Sequence, residues 1–244
     1  MKTPTLAVAA LLLAAIALLC SGCETTAEKS AKLEKAAKRQ TLAKQQGLTI
    51  TQESAVVKVL DTALVHGKEG SAAVVTLRNS SPRALSGVPI SLTLKDAHGA
   101  TVYSNGTPGL AKTLTSVSLI PAHGKVVWID DQIQAPTASA VAVRIGEGSP
   151  ASGALPQLKI ADTHLTSEAG TSSTFEGTVH NGSSTDQPEL VIEAVARRGK
   201  HVVAAGRAVL ASLEAGTTTP FEVFFIGTPG KAKLELSPQP TALG

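Results

Sequence analysis

An internal repeat constrains this chain more than any other feature. Val59-Leu60-Asp61-Thr62-Ala63-Leu64 reappears as Ile160-Ala161-Asp162-Thr163-His164-Leu165, an offset of 101 residues at the aspartate. Leu77-Arg78-Asn79-Ser80-Ser81 reappears as Val179-His180-Asn181-Gly182-Ser183, offset by 102 at the asparagine. Gly99 matches Gly199, and Pro121-Ala122-His123-Gly124 matches Glu214-Ala215-Gly216 ahead of a further apolar run. Landmarks that hold their spacing across separate stretches indicate one structural unit used twice.

Within each copy the apolar residues favour strand spacing, and Gly, Asn, Ser and Pro clusters interrupt them at short intervals. The first copy predicts strands over 56–65, 72–78, 87–96, 100–103, 111–119, 124–130 and 139–145. The second predicts them over 157–165, 173–180, 189–196, 200–205, 207–213, 218–226 and 231–236. About seven short strands in roughly 100 residues, with no helical period between them, is the pattern of an immunoglobulin-like antiparallel sandwich. Val74, Thr76 and Arg78 alternate with Val75, Leu77 and Asn79, as in a half-buried strand. Phe221, Val223 and Phe225 alternate with Glu222, Phe224 and Ile226, which is apolar on both faces and predicts a central strand or a contact surface at Phe224.

The fold class expected is therefore all-β, two tandem sandwiches over 49–146 and 155–238. A small-residue linker over 147–154, containing Gly148, Ser149, Pro150 and Gly153, reads as a flexible hinge. Residues 239–244 read as a disordered tail.

The N-terminal region has a different character. Lys2 begins a positive segment, Leu6 to Leu19 form an apolar run shorter than the about 20 residues a membrane span needs, and Ser21-Gly22 lead into Cys23. Leu19-Cys20-Ser21-Gly22-Cys23 resembles the processing site of bacterial lipoproteins, with Cys20 where that family usually has Leu. The resemblance implies a signal peptide over 1–22, diacylglycerol on the Cys23 thiol, and anchoring to the lipid bilayer on the outer face of the cell membrane or in the envelope. The alternative is ordinary signal cleavage that leaves Cys23 a free thiol. Residues 23–48 read as a charged helical tether: Thr25 and Glu28 are spaced as a capping box, Glu28/Lys32 and Glu34/Lys38 are i, i+4 pairs, and Gly47 ends the segment.

Charge and composition exclude several classes. Residues 24–46 hold six basic and three acidic side chains, an excess equal to the formal net charge of +3 for the whole chain, so the domains themselves carry no basic footprint. Aromatic residues are 2% of the chain, which leaves no stacking platforms for nucleic acid. Both cysteines, Cys20 and Cys23, lie at the signal boundary, so no disulfide framework is expected.

Neither a G-x-S-x-G nor an S-x-x-K motif occurs, and no catalytic residue, cofactor or metal site is expected. The six histidines, His66, His98, His123, His164, His180 and His201, lack the close pairing of metal ligands. Asp130-Asp131 reads as a solvated turn. Asp61 and Asp162 read as structural residues making turn hydrogen bonds, and Asn79 and Asn181 as the turn after a strand. Asn79, Asn105 and Asn181 also match the glycosylation spacing N-x-[S/T]. Trp128 follows Val126 and Val127 and reads as core rather than as a sugar platform; Tyr103 is the only tyrosine.

The order of strand, Asn turn, apolar strand, Asp96-x-x-Gly99 and Pro/Gly turn resembles the FxLYD and related CARDB-type domains of exported prokaryotic proteins. Leu92-Thr93-Leu94-Lys95-Asp96 takes the place of the name motif, with Leu for Phe and Lys for Tyr; Ile192-Glu193-Ala194-Val195-Ala196 keeps only its apolar spacing. The resemblance implies an envelope role without known chemistry. The function expected is a non-enzymatic binding or scaffolding module with an envelope protein partner; the alternative is a structural spacer, and an enzyme or metal-binding protein ranks third.

Overall fold

Two antiparallel sandwiches share one interface in the computed structural model, which describes residues 47–166 and 173–244. The signal peptide, Cys23 and the helical tether lie outside the described residues. Among the described residues no helix is long and apolar enough to cross a membrane.

In the first sandwich, β1 (Val57–Gly67), β2 (Gly70–Asn79) and β6 (Lys125–Ile133) form a three-stranded sheet in the order β1-β2-β6. The facing sheet is built on the long β3 (Ala84–Lys95). One side of β3 pairs with β4 (Thr101–Ser104) and β5 (Ser116–Ile120), the other with β7 (Ala140–Ile145) and β8 (Ser149–Ala151). Between the sheets lie Val75, Leu77, Ile90, Leu92, Leu94 and Trp128, all essentially inaccessible, and Trp128 is core as expected.

The second sandwich repeats the plan. β9 (Leu158–Thr166), β10 (Thr174–Asn181) and β13 (Thr218–Phe224) form the order β13-β10-β9. The facing sheet runs β14 (Ile226–Gly227), β12 (His201–Leu213), β11 (Gln187–Arg198) and β15 (Lys233–Gln239). The unbroken β12 covers the side of β11 that two strands cover on β3. In the first copy that strand is interrupted, and the buried Asn105 holds the break closed. Its Oδ1 accepts from the Leu92 amide at 2.7 Å, and its Nδ2 donates to the carbonyls of Ile90 and Leu114 at 2.9 and 2.8 Å.

Asn79 and Asn181 carry the repeat into atomic detail. The Asn79 Nδ2 donates to Arg83 O and Pro121 O and its Oδ1 accepts from the Ser81 amide. The Asn181 Nδ2 donates to Thr185 O and Leu213 O and its Oδ1 accepts from the Ser183 amide. Each is inaccessible, as is Asn105, so none of the three presents an amide to a glycosylating enzyme. The repeated aspartates sit at β-bulges rather than in turns. Register shifts occur between Val59 and Asp61 on β1 and opposite Glu176–Thr178 on β9, where Asp162 has φ 52° and accepts a bond from the Thr178 hydroxyl.

Further expectations from the linear pattern change. The strand β2 is buried on both faces: Ala73, Val75 and Leu77 face the first core, whereas Ala72 and Val74 join Val65, Ile129, Val195, Ala205 and Ile226 in a cluster between the sandwiches. The residues expected as a hinge include β8, which pairs with β3 through Ala84–Ala151, Leu85–Pro150 and Ser86–Ser149. The expected disordered tail is held in place. The buried Gln187 accepts from the amides of Thr241 and Ala242 and donates to Ala242 O, and Gly244 exchanges two backbone bonds with Ala154.

Backbones of the two sandwiches approach closely at Gly67 and Gly227. A Cβ on Gly227 would stand 2.6 Å from Val65 Cγ1, and its φ of 90° favours glycine independently. The strand β13 is an edge, which removes the central-strand reading of that segment. Ile226 is buried between the sandwiches, and Phe224 is 59% exposed.

Candidate functional site in the cleft between the sandwiches

Strand β6 lies at an open edge of its sheet, and the second sandwich covers that edge with side chains. Gln239 Nε2 donates to Val127 O at 3.1 Å, and the Ile129 amide bonds to the carboxyl of Glu193. An unpaired strand edge is thereby satisfied, which blocks strand addition at that position.

The sequence Asp130-Asp131, expected as a solvated turn, is instead part of this buried junction, because alternate residues of β6 face opposite sides. Asp130 is inaccessible and accepts a 2.5 Å bond from the Tyr103 hydroxyl. Asp131 faces the second sandwich, where Arg207 Nε donates to Oδ1 at 2.8 Å and the Arg207 amide to Oδ2 at 3.2 Å. The Arg207 side chain is 3% exposed, and its guanidinium also reaches the Thr113 hydroxyl.

Glu193 projects from β11 into the same region at 3% exposure, and its Oε2 has no hydrogen-bond partner; nor has Oε1 of Gln239. Burial pushes the Glu193 carboxyl well above the usual carboxylate range, with Asp131 and Asp130 adding to the rise and Arg207 and the Ile129 amide opposing it. Asp130 is raised by burial too, against the opposing Tyr103 hydroxyl, Gln132 amide and Arg207. Tyr103 is raised by burial and by Asp130. One guanidinium thus faces three carboxyl groups.

A cleft of about 510 Å³ opens beside this cluster. Hydroxyls of Ser86, Ser116, Ser118 and Ser149 line it, with Lys112 and Glu189 as its charged groups. Thr241 of the pinned tail forms part of the wall. Glu189 holds φ 48°, and Gly87 holds φ 58° at the equivalent place 102 residues earlier, so the second copy places a carboxylate where the first has the residue suited to that conformation. Thr113, Ser116 and Ser118 also line an inner recess with room, about 10 Å³, for one water-sized group. Its other walls include Val127, Trp128, Val191, Glu193 and Gln239.

The histidines do not converge. His66 pairs with the Ser71 hydroxyl, His180 with the Thr218 hydroxyl and His164 with Glu176. Among the described residues no group of three or more His, Cys, Asp or Glu is arranged to hold a metal ion. Phe224 lies outside the cleft lining. Pattern reading missed Glu193, Arg207, Gln187 and Gln239. The signal present was a charged residue inside an apolar run, Ile192-Glu193-Ala194 and Gly206-Arg207-Ala208, because such residues are rarely buried without a reason.

No family model matches the chain, and no curated protein does. Among solved structures it is similar to the exo-chitosanase CsxA of Amycolatopsis orientalis, with 14% identity, a TM-score of 0.28, and coverage of 74% of this chain and 26% of that one. The chain spans well under two thirds of that enzyme, and likeness at this level carries no argument about activity.

Proposed function

We propose that the protein is an envelope lipoprotein, held to the bilayer by acylated Cys23, whose fused sandwiches act as a non-enzymatic binding or scaffolding module. The observation that supports binding is the cleft of about 510 Å³, whose walls come from both sandwiches and carry serine side chains with Lys112 and Glu189 as charged groups. The FxLYD/CARDB-like order of strands and turns supports an exported role, and the lipoprotein-like segment before Cys23 supports the anchor.

Fractionation tests the anchor: Cys23→Ser is expected to move the protein from membranes to the soluble fraction, and unchanged partitioning removes that part of the reading. Cross-linking in intact cells, native chain against Cys23→Ser, tests partner binding. A specific partner held only by the anchored form supports it. The spacer reading is favoured by the shared apolar cluster and the covered β6 edge, which set the two sandwiches in one arrangement. Absence of any partner with either form selects the spacer.

A further inference from the structure

The strands of the sheet β14-β12-β11-β15 lie one after another over successive rows of residues on the outer face of the sheet β1-β2-β6. Gly227 of β14 meets Gly67 of β1. Arg207 of β12 reaches Asp131, beside the row of Val65 and Ala72. Val195 and Glu193 of β11 meet the row of Ala63, Val74 and Ile129, the first in the shared apolar cluster and the second at the Ile129 amide. The strand β15 crosses the row of Asp61, Thr76 and Val127: Gln239 bonds to Val127 at one end, and Glu235 shares Arg197 with Asp61 at the other.

The next row, on the free side of β15, is Lys58, Arg78 and Lys125, in register on three adjacent strands. All three are exposed, and none has an ion-pair partner among the described residues. Asp61 and Glu235, one row away, are engaged with Arg197 and Lys233, which leaves the charge of the row uncompensated. No aspartate or glutamate occurs over 54–60, 76–95 or 112–129, the segments around it. Like charges directly opposite one another on neighbouring strands are destabilising. The fold does not require them, because the same register of the second copy holds Lys159, His180 and Thr218.

We propose that the free edge of β15 takes up an extended segment of a partner protein with acidic side chains at alternate positions, which sets its carboxylates on Lys58, Arg78 and Lys125. The place one strand beyond β15 lies over this row, just as β15 and β11 lie over the two rows before it. Strand addition supplies main-chain hydrogen bonds, and alternate side chains of an added strand point one way, here onto the cations. Pro238 fits β15 because a proline nitrogen is accommodated on the free side of an edge strand. Leu234 and Leu236 alternate with it and so turn their N–H and C=O groups to that free side. The proposal rests on the binding-module reading and gives its partner a chemistry, on a face separate from the cleft.

The full-length chain in detergent is titrated at pH 7 into a fluorescein-labelled peptide of alternating threonine and glutamate, and binding is read by fluorescence anisotropy. Saturable binding that weakens with added salt is expected. The combined variant Lys58→Gln, Arg78→Thr, Lys125→Gln is expected to weaken it about tenfold or more while keeping the near-ultraviolet circular dichroism of the wild type, since all three side chains are exposed. The same peptide methylated at its backbone amides keeps its charges but cannot donate to the ladder, and it is expected to lose binding, as is the glutamine analogue. Equal binding of the methylated peptide overturns strand addition, and equal binding of the glutamine analogue, or by the combined variant, overturns the role of the row. Absence of saturable binding overturns the inference as a whole, while the cross-linking in intact cells judges the binding module separately.

Discussion

At the scale of single residues, the repeat is maintained by side chains that do backbone work. Asn79 and Asn181 each close a turn by donating to carbonyls and accepting from an amide two residues on, and both are inaccessible. Asn181→Ala takes the side-chain donor from the buried Leu213 carbonyl and the acceptor from the Ser183 amide, while Thr185 O keeps the Ser183 hydroxyl and the Gln187 side-chain amide. It is expected to cost about 2–4 kcal/mol, more than one ordinary hydrogen bond, because unpaired buried groups keep their desolvation penalty. Urea unfolding measures it, and a loss below about 1 kcal/mol contradicts this account.

Glu193 sets a pH dependence of known sign. Its carboxyl is raised in the fold, so the group contributes most below the usual carboxylate value near 4 and loses that contribution as pH climbs through the raised value. Glu193→Gln removes the ionisation, and its melting temperature is expected to gain on the wild type from pH 4 to pH 8. Asp130 has the same direction and stays in both proteins, so the difference between them reads Glu193 together with its coupling to Asp130. Parallel melting curves across that range reject the assignment.

At the scale of strands, the distinctive elements are those buried on two faces. The runs Ala72-Ala73-Val74-Val75 and Ala194-Val195-Ala196 divide their side chains between a sandwich core and the cluster joining the sandwiches. Small residues there allow close approach of the sheets, most tightly where β14 meets β1. Gly227→Ala places a methyl against the Val203 carbonyl of β12 and against Val65 of β1, at a positive φ, and is expected to cost about 2 kcal/mol or more. The same change at Gly87, also left-handed but with open space around it, carries only the conformational part, so Gly227→Ala must exceed Gly87→Ala in a thermal melt. Equal losses at the two sites contradict close packing around Gly227, on β12 and at the junction alike.

For the whole molecule, the shared cluster, the covered edge of β6 and the Asp131–Arg207 pair join two repeats into one compact unit from Gly47 to Gly244. Domains coupled through a buried apolar and ionic interface lose stability when separated, so calorimetry is expected to show one unfolding transition with the calorimetric and van't Hoff enthalpies in agreement. Two resolved transitions indicate that each copy folds alone and that the junction contributes little.

The sequence by itself determined most strands, the duplication and the all-β class, because alternation and turn residues act over a few neighbours and the same landmarks occur twice. The strand expected over 111–119, however, begins only at Ser116 after a 3-10 turn, those expected over 200–205 and 207–213 are the single β12, and that over 218–226 is split into β13 and β14. The expected strand at 124–130 is β6 at Lys125–Ile133, and that at 189–196 is β11 at Gln187–Arg198. The site depended on tertiary structure. Glu193 and Gln239 are brought together by the β11–β15 pairing within the second sandwich, the recess they line also takes Val127 and Trp128 from the first, and Asp131 meets Arg207 across 76 positions of chain. No local period encodes such a meeting. The hinge and tail were misread for the same reason. Ser149–Ala151 and Thr241 have the small or polar composition of loops, and their order comes from partners distant in sequence, β3 and Gln187, that supply the hydrogen bonds their own neighbours lack.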